Sequence, residues 1–177
     1  RVRTRHRLGE RYLLFVGLLS TRKNVVALIE AFEMLAPTRP ELHLVLAGAR
    51  SHGVEAVDDR LARSPVRERI VTPGFVPSED LPALYSGAAA FVFPTRDEGF
   101  GLPVLEALAC GTAVVASDLP VLREVGGPHP RWCEPGSPEA LARALRDCLA
   151  AEPDPVEVER RRDWAARFRW NETARQT

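Results

Sequence analysis

Short unbroken apolar runs alternate with helix-spaced segments along this chain, and that alternation constrains the fold more than any other feature. Tyr12 to Val16, Leu42 to Ala47, Ala88 to Phe93 and Ala113 to Ala116 are apolar at nearly every position. A strand with one wet face would alternate apolar and polar residues, whereas a continuous run is buried on both faces. A further short strand is expected at Arg69 to Thr72, before Pro73 and Gly74. Between the strands, helices are expected over Val25 to Leu35, Val54 to Arg63, Ser78 to Ser86, Leu102 to Ala109 and Leu119 to Val125. Two more follow, from Ser137 to about Ala151 and from Pro155 to Phe168. Strands that alternate with helices imply an α/β fold: a Rossmann-like, three-layer domain with a parallel sheet between helices.

Local signals set the helix ends. Asn24 can cap the first long helix, and Pro37 stops it. Ser78 precedes an acidic first turn, Glu79 and Asp80, and is expected to cap the helix that follows. Ser137-Pro138-Glu139 places a capping hydroxyl before a first-turn proline. Gly111 closes the helix that starts at Leu102.

With 177 residues the chain is one domain by length. Its formal net charge is zero, which removes the electrostatic footprint of nucleic-acid binding. No run of eighteen apolar residues exists to span a membrane, and no signal peptide is visible. Cys110, Cys133 and Cys148 lack metal or framework spacing, and Cys110 and Cys148 are expected as reduced core thiols. Reduced thiols point to a cytoplasmic location. His6, His43, His52 and His129 share no spacing, and no metal site is expected. Residues 1–10 read as an Arg-rich exposed connector, and residues 155–177 as a last helix and tail. The first residue is not Met and the single Met is Met34, so a fragment of a longer protein is expected.

The segment Glu98 to Glu106 carries the chemistry. A buried strand ends at Phe93, a polar stretch follows, and Gly99 and Gly101 flank Phe100 before a helix begins. Open α/β sheets bind ligands at the carboxyl ends of their strands. The glycines permit close backbone approach, and the free amides of a helix start attract an anion. The two glutamates suit hydroxyl groups, which donate hydrogen bonds to a carboxylate. A diphosphate with hydroxyl-rich rings at both ends satisfies the layout, as in a nucleotide sugar. Of the 24 basic residues only Lys23 is a lysine, and it lies where a second phosphate-facing helix should start. There is no G-x-G-x-x-G after the first strand, against a nicotinamide or flavin.

The stretch PTRDEGFGLPVLEALACGTAVVASDLPVLREV resembles the signature of retaining glycosyltransferases of family 4. FVGLLSTRKNVVALIEAF is similar to that family's phosphate-binding segment. GFVPSEDLPALYSGAAAFVFPT, SPEALARAL and FRWNETA are similar to its remaining blocks. The resemblance covers residues 9–175 and implies the carboxyl-terminal, donor-binding half of a GT-B enzyme, with an amino-terminal acceptor domain outside this chain. It implies a donor, a UDP-, GDP- or ADP-sugar, and no cofactor. It assigns Lys23 and Glu98 to the reacting end. The diphosphate falls to Lys23 and the loop amides of Gly99, Phe100 and Gly101, to which Leu102 and Val104 can add theirs. Glu98 would meet donor-sugar hydroxyls and Glu106 the ribose. Phe75 and Val76 would frame the base, although a core role for Phe75 stays open, and Gly17 permits close approach. Many members carry Arg where Leu18 stands, and Arg22 is expected to take over that contact. The implied activity is sugar transfer in bacterial polysaccharide or glycoconjugate assembly. A non-catalytic nucleotide-sugar module or a sugar-nucleotide epimerase stays open. Peripheral attachment at the inner membrane stays open for the full-length protein.

Overall fold

The computed structural model describes residues 2–6, 8–152 and 154–168. Six parallel strands form one sheet: β1 (Arg11–Val16), β2 (Leu42–Ala47), β3 (Ile70–Gly74), β4 (Ala90–Phe93), β5 (Val114–Ser117) and β6 (Arg131–Cys133). Their order is β3-β2-β1-β4-β5-β6. The chain therefore works outward from β1 to one edge, then returns to β1's other side and works outward again. The switch point lies between β1 and β4.

Among the described residues eight α-helices accompany the strands: α1 (Val2–Arg5), α2 (Val25–Leu35), α3 (Val54–Arg63), α4 (Leu81–Gly87), α5 (Leu102–Ala109), α6 (Pro120–Gly126), α7 (Pro138–Ala150) and α8 (Pro155–Ala165). α2 packs on α3 and α7, whereas α5 packs on α4, α6 and α8. Right-handed crossovers that leave the centre in opposite directions place these two groups on opposite faces. The middle strands are accordingly dry: Leu13, Leu14, Phe15, Phe91, Val92 and Phe93 have no exposed surface. Each such side chain contributes on the order of 1.5–3 kcal/mol by leaving water. Pro73 is tolerated because β3 is an edge strand.

Four expectations change. Residues 131–133, to which the sequence reading gives no element, form β6, which pairs with Val115 to Ser117. Three residues are too few to show a period, and the neighbouring strand makes the structure. The connector contains the short helix α1, held by Arg5 and His6 against Asp80. Asn24 does not cap α2 with its side chain. It takes a left-handed backbone (φ 54°), which Asn tolerates better than most residues. Ser78 does not cap α4 with its side chain either; its carbonyl accepts from the Leu81 amide, and the helix begins there. Ser137 does cap α7, accepting from the Ala140 amide at 3.1 Å.

The thiols also sort differently from expectation. Cys133 is the buried one, and burial pushes it up to about 11. Cys110 and Cys148 are only half-buried, and burial raises them too. All three are free. No helix among the described residues is long and apolar enough to cross a membrane. Past Phe168 the FRWNETA motif and the tail lie outside the described residues.

Candidate donor site at the sheet's switch point

The loops after β1 and β4 meet at the carboxyl edge of the two central strands. Thr95 is fully buried, and its hydroxyl oxygen lies 2.7 Å from the Asp97 carbonyl and 3.2 Å from the Arg22 carbonyl. The Arg96 amide donates to the same Arg22 carbonyl at 3.0 Å. These bonds lock the residues before α2 against the residues before α5. Lys23 is thereby carried to Glu98, and the two side chains form an ion pair that is mostly out of water. The ammonium also stands 4.7 Å from the centroid of the Phe93 ring, a favourable cation–π placement. Glu98 Oε1 accepts from its neighbouring Gly99 amide at 3.1 Å.

Both helices that begin here start from a left-handed residue with no side-chain cap, Asn24 (φ 54°) for α2 and Gly101 (φ 95°) for α5. The amides of Val25, Val26 and Ala27 have no protein partner among the described residues, nor do those of Phe100, Gly101 and Leu102. Such unpaired N–H groups, at the positive ends of two helix dipoles, are suited to an anion. Val104 is a correction. Its amide already donates to the Gly101 carbonyl at 2.9 Å, and its side chain is core, so it offers an anion nothing.

Gly17 lies at the end of β1, where its amide donates to the Ala47 carbonyl at 3.0 Å. A Cβ placed on the facing Gly48 would stand 1.8 Å from the Gly17 carbonyl oxygen, so this close crossing of two loops requires a glycine. Leu18 (48% exposed) and Arg22 stand at the surface of the following loop. After β3, Phe75 is 75% exposed, whereas Val76 is buried in the core at 6%. Phe75 therefore has no core role, and the Val76 side chain cannot frame a base. Glu106 is exposed on α5 and accepts a hydrogen bond from the buried Tyr85 hydroxyl at 2.8 Å.

Sequence reasoning missed Tyr85 and Thr95. The only signal for Thr95 was a polar residue right after a strand and a proline. Tyr85 looked like an ordinary apolar position of a helix. Among the described residues no group of three or more His, Cys, Asp or Glu side chains could hold a metal ion. A crevice of about 1520 Å3 lies elsewhere, at the amino edge of the sheet, lined by Arg11, Ala89, Ala113 and Pro130 near the strand starts. It has no part in the arrangement at the carboxyl edge.

The family model described as Glycosyl transferases group 1 matches residues 1–169. The chain belongs to this family. Among the curated relatives of this group 1 chain, the O-antigen chain mannosyltransferase B of Escherichia coli is 34% identical, covering 94% of this chain and 44% of the relative. The glycogen synthase of Mycobacterium tuberculosis is 35% identical, over 89% of this chain and 37% of the relative. The chain spans less than half the length of these relatives. A sucrose-phosphate synthase from Thermosynechococcus elongatus superposes with a TM-score of 0.84 at 29% identity, over 99% of this chain and 46% of that one. The fold is thus the Rossmann-like domain of GT-B glycosyltransferases.

Proposed function

We propose that this chain is the donor-binding, carboxyl-terminal domain of a retaining glycosyltransferase. In the whole protein it transfers a hexosyl group from a nucleoside-diphosphate sugar to a hydroxyl acceptor, in bacterial polysaccharide or glycoconjugate assembly. The observation that carries the reading is the meeting of Lys23 and Glu98 between two uncapped helix starts at the sheet's switch point.

Lys23, Arg22 and the free amides of the two helix starts neutralise the diphosphate, and stabilise the charge that grows on it as it leaves. No metal is needed for that task. Glu98 exchanges its bond to Lys23 for sugar hydroxyls near the reacting carbon. Glu106 holds the ribose, and the exposed Phe75 ring covers the base. Gly17 leaves room for the donor beside β1. The acceptor must be held about 3–3.5 Å from the anomeric carbon, and we assign that work to the part of the relatives' length that this chain does not cover. A mannosyl donor is the first to test, because a mannosyltransferase is 34% identical.

The test is product analysis. The full-length protein is incubated with UDP-, GDP- and ADP-sugars and acceptor glycans, and the products are followed by proton NMR. A glycoside with the donor's anomeric configuration is expected. An inverted glycoside would refute retention. A free epimer would identify an epimerase, and tight donor binding without turnover a binding module.

A further inference from the structure

Glu106 is an exposed carboxylate in the middle of a surface helix, and such a side chain would ordinarily sample several rotamers. Here one oxygen is taken. The Tyr85 hydroxyl donates to Glu106 Oε2 at 2.8 Å. Tyr85 itself has no freedom. Its ring is 1% exposed and stands edge-on to Phe91, with centroids 5.3 Å apart and planes at 69°. Its carbonyl accepts from the buried Thr112 hydroxyl at 2.8 Å and from the Ala88 amide at 3.0 Å. A core aromatic ring thus presents one donor at the surface, and Glu106 receives it.

We propose that Tyr85 is a positioning residue of the donor site, one that fixes the Glu106 carboxylate before the ligand arrives and leaves its other oxygen for a ribose hydroxyl. The inference rests on the reading of Glu106 as the ribose ligand. A rotamer fixed in advance is entropy that binding no longer loses. Burial first, and the Glu106 carboxylate next, hold the Tyr85 hydroxyl far above the ordinary tyrosine range, so it remains a donor throughout the physiological pH range. The role is indirect, because Tyr85 would touch Glu106 and not the ligand.

The test uses Tyr85→Phe, which keeps the ring and removes the hydroxyl. Calorimetry measures the affinity of the 177-residue chain for UDP, GDP and ADP, and for the 2′,3′-dideoxy form of whichever binds tightest. Thermal melts confirm that the variant is folded. Tyr85→Phe is expected to weaken the ribonucleotide about three- to tenfold, as loss of one hydrogen bond would. It should leave the dideoxy form unchanged, and add nothing in a Glu106→Ala background. Equal weakening of both nucleotides would show a merely structural role and overturn the proposal. So would unchanged binding in Tyr85→Phe while Glu106→Ala weakens it. If the wild-type chain binds none of the three, or Glu106→Ala binds like wild type, the donor-site reading itself fails and the role of Tyr85 falls with it.

Discussion

Lys23 and Glu98 are 75 positions apart in the chain, yet their side chains form an ion pair between β1 and β4, the two central strands of the sheet. The pair stores a lysine that a diphosphate can claim. It also holds a carboxylate that must turn away when that happens. The two partners should therefore respond in opposite directions to substitution.

Lys23→Ala removes a charge-assisted hydrogen bond, worth about 1.5–3 kcal/mol. Nucleoside-diphosphate affinity measured by calorimetry should drop by roughly ten- to a hundredfold. Glu98→Gln instead frees Lys23 from its competitor. Relief of this largely buried ion pair should tighten binding of the bare nucleoside diphosphate, while sugar transfer by the full-length protein is lost. Weaker nucleotide binding in Glu98→Gln would contradict the competition.

Gly101 starts α5 at φ 95°, and a Cβ there would stand 2.5 Å from Leu122 Cδ2. Gly101→Ala combines a left-handed backbone with displacement of Leu122. It should cost about 1–3 kcal/mol, which lowers the melting temperature by about 2–4 °C per kcal/mol in a chain of this size. A thermal melt followed by circular dichroism checks it.

Trp164 of α8 donates its indole N–H to the Val125 carbonyl at 2.8 Å, and its ring lies where a Cβ on Gly127 would stand, 2.3 Å from Trp164 Cζ2. Trp164→Phe keeps much of the packing and forfeits one hydrogen bond, about 1 kcal/mol. Trp164→Ala also empties the site and should cost more than Trp164→Phe. Urea titrations of the two variants separate these contributions. Equal losses would show that the indole hydrogen bond carries the whole effect.

Asp80 is nearly buried and accepts from Arg5 at 2.7 Å and His6 at 3.0 Å. The His6 hydrogen bond first, and the Arg5 guanidinium beside it, hold its carboxyl below the ordinary aspartate range. A lowered native value means that the folded state binds the proton less readily than the unfolded one. The stabilisation is complete above the unfolded value of about 3.9 and is lost as pH falls through the native value. Asp80→Asn should therefore lower stability at pH 7 and show a flatter stability curve than wild type between about pH 5 and pH 2. Parallel curves would refute the assignment.

The sheet was legible because continuous apolar runs such as YLLFV leave a strand no wet face. Helix ends were legible where one residue decides them, as at Ser137. They were not where the backbone does the work, as at Asn24, whose left-handed turn leaves no mark in composition. β6 depends on pairing with β5, and no local window contains that partner. At the site, Lys23 stood out as the one lysine before a helix start, and Glu98 and Glu106 as two carboxylates on either side of Gly99 and Gly101. Tyr85 did not, since its contact with Glu106 joins two helices and depends on which way a core ring points. Val104 was misjudged because the first-turn bond of its amide to Gly101 is a matter of helix geometry.

The most direct measurement is calorimetric titration of the chain with GDP-mannose, UDP-glucose and ADP-glucose, in parallel with Lys23→Ala and Glu106→Ala. Saturable binding of one donor, weakened at least tenfold in both variants, is the result expected of a donor site at the switch point. Binding that survives both substitutions unchanged would place the nucleotide elsewhere and contradict the account.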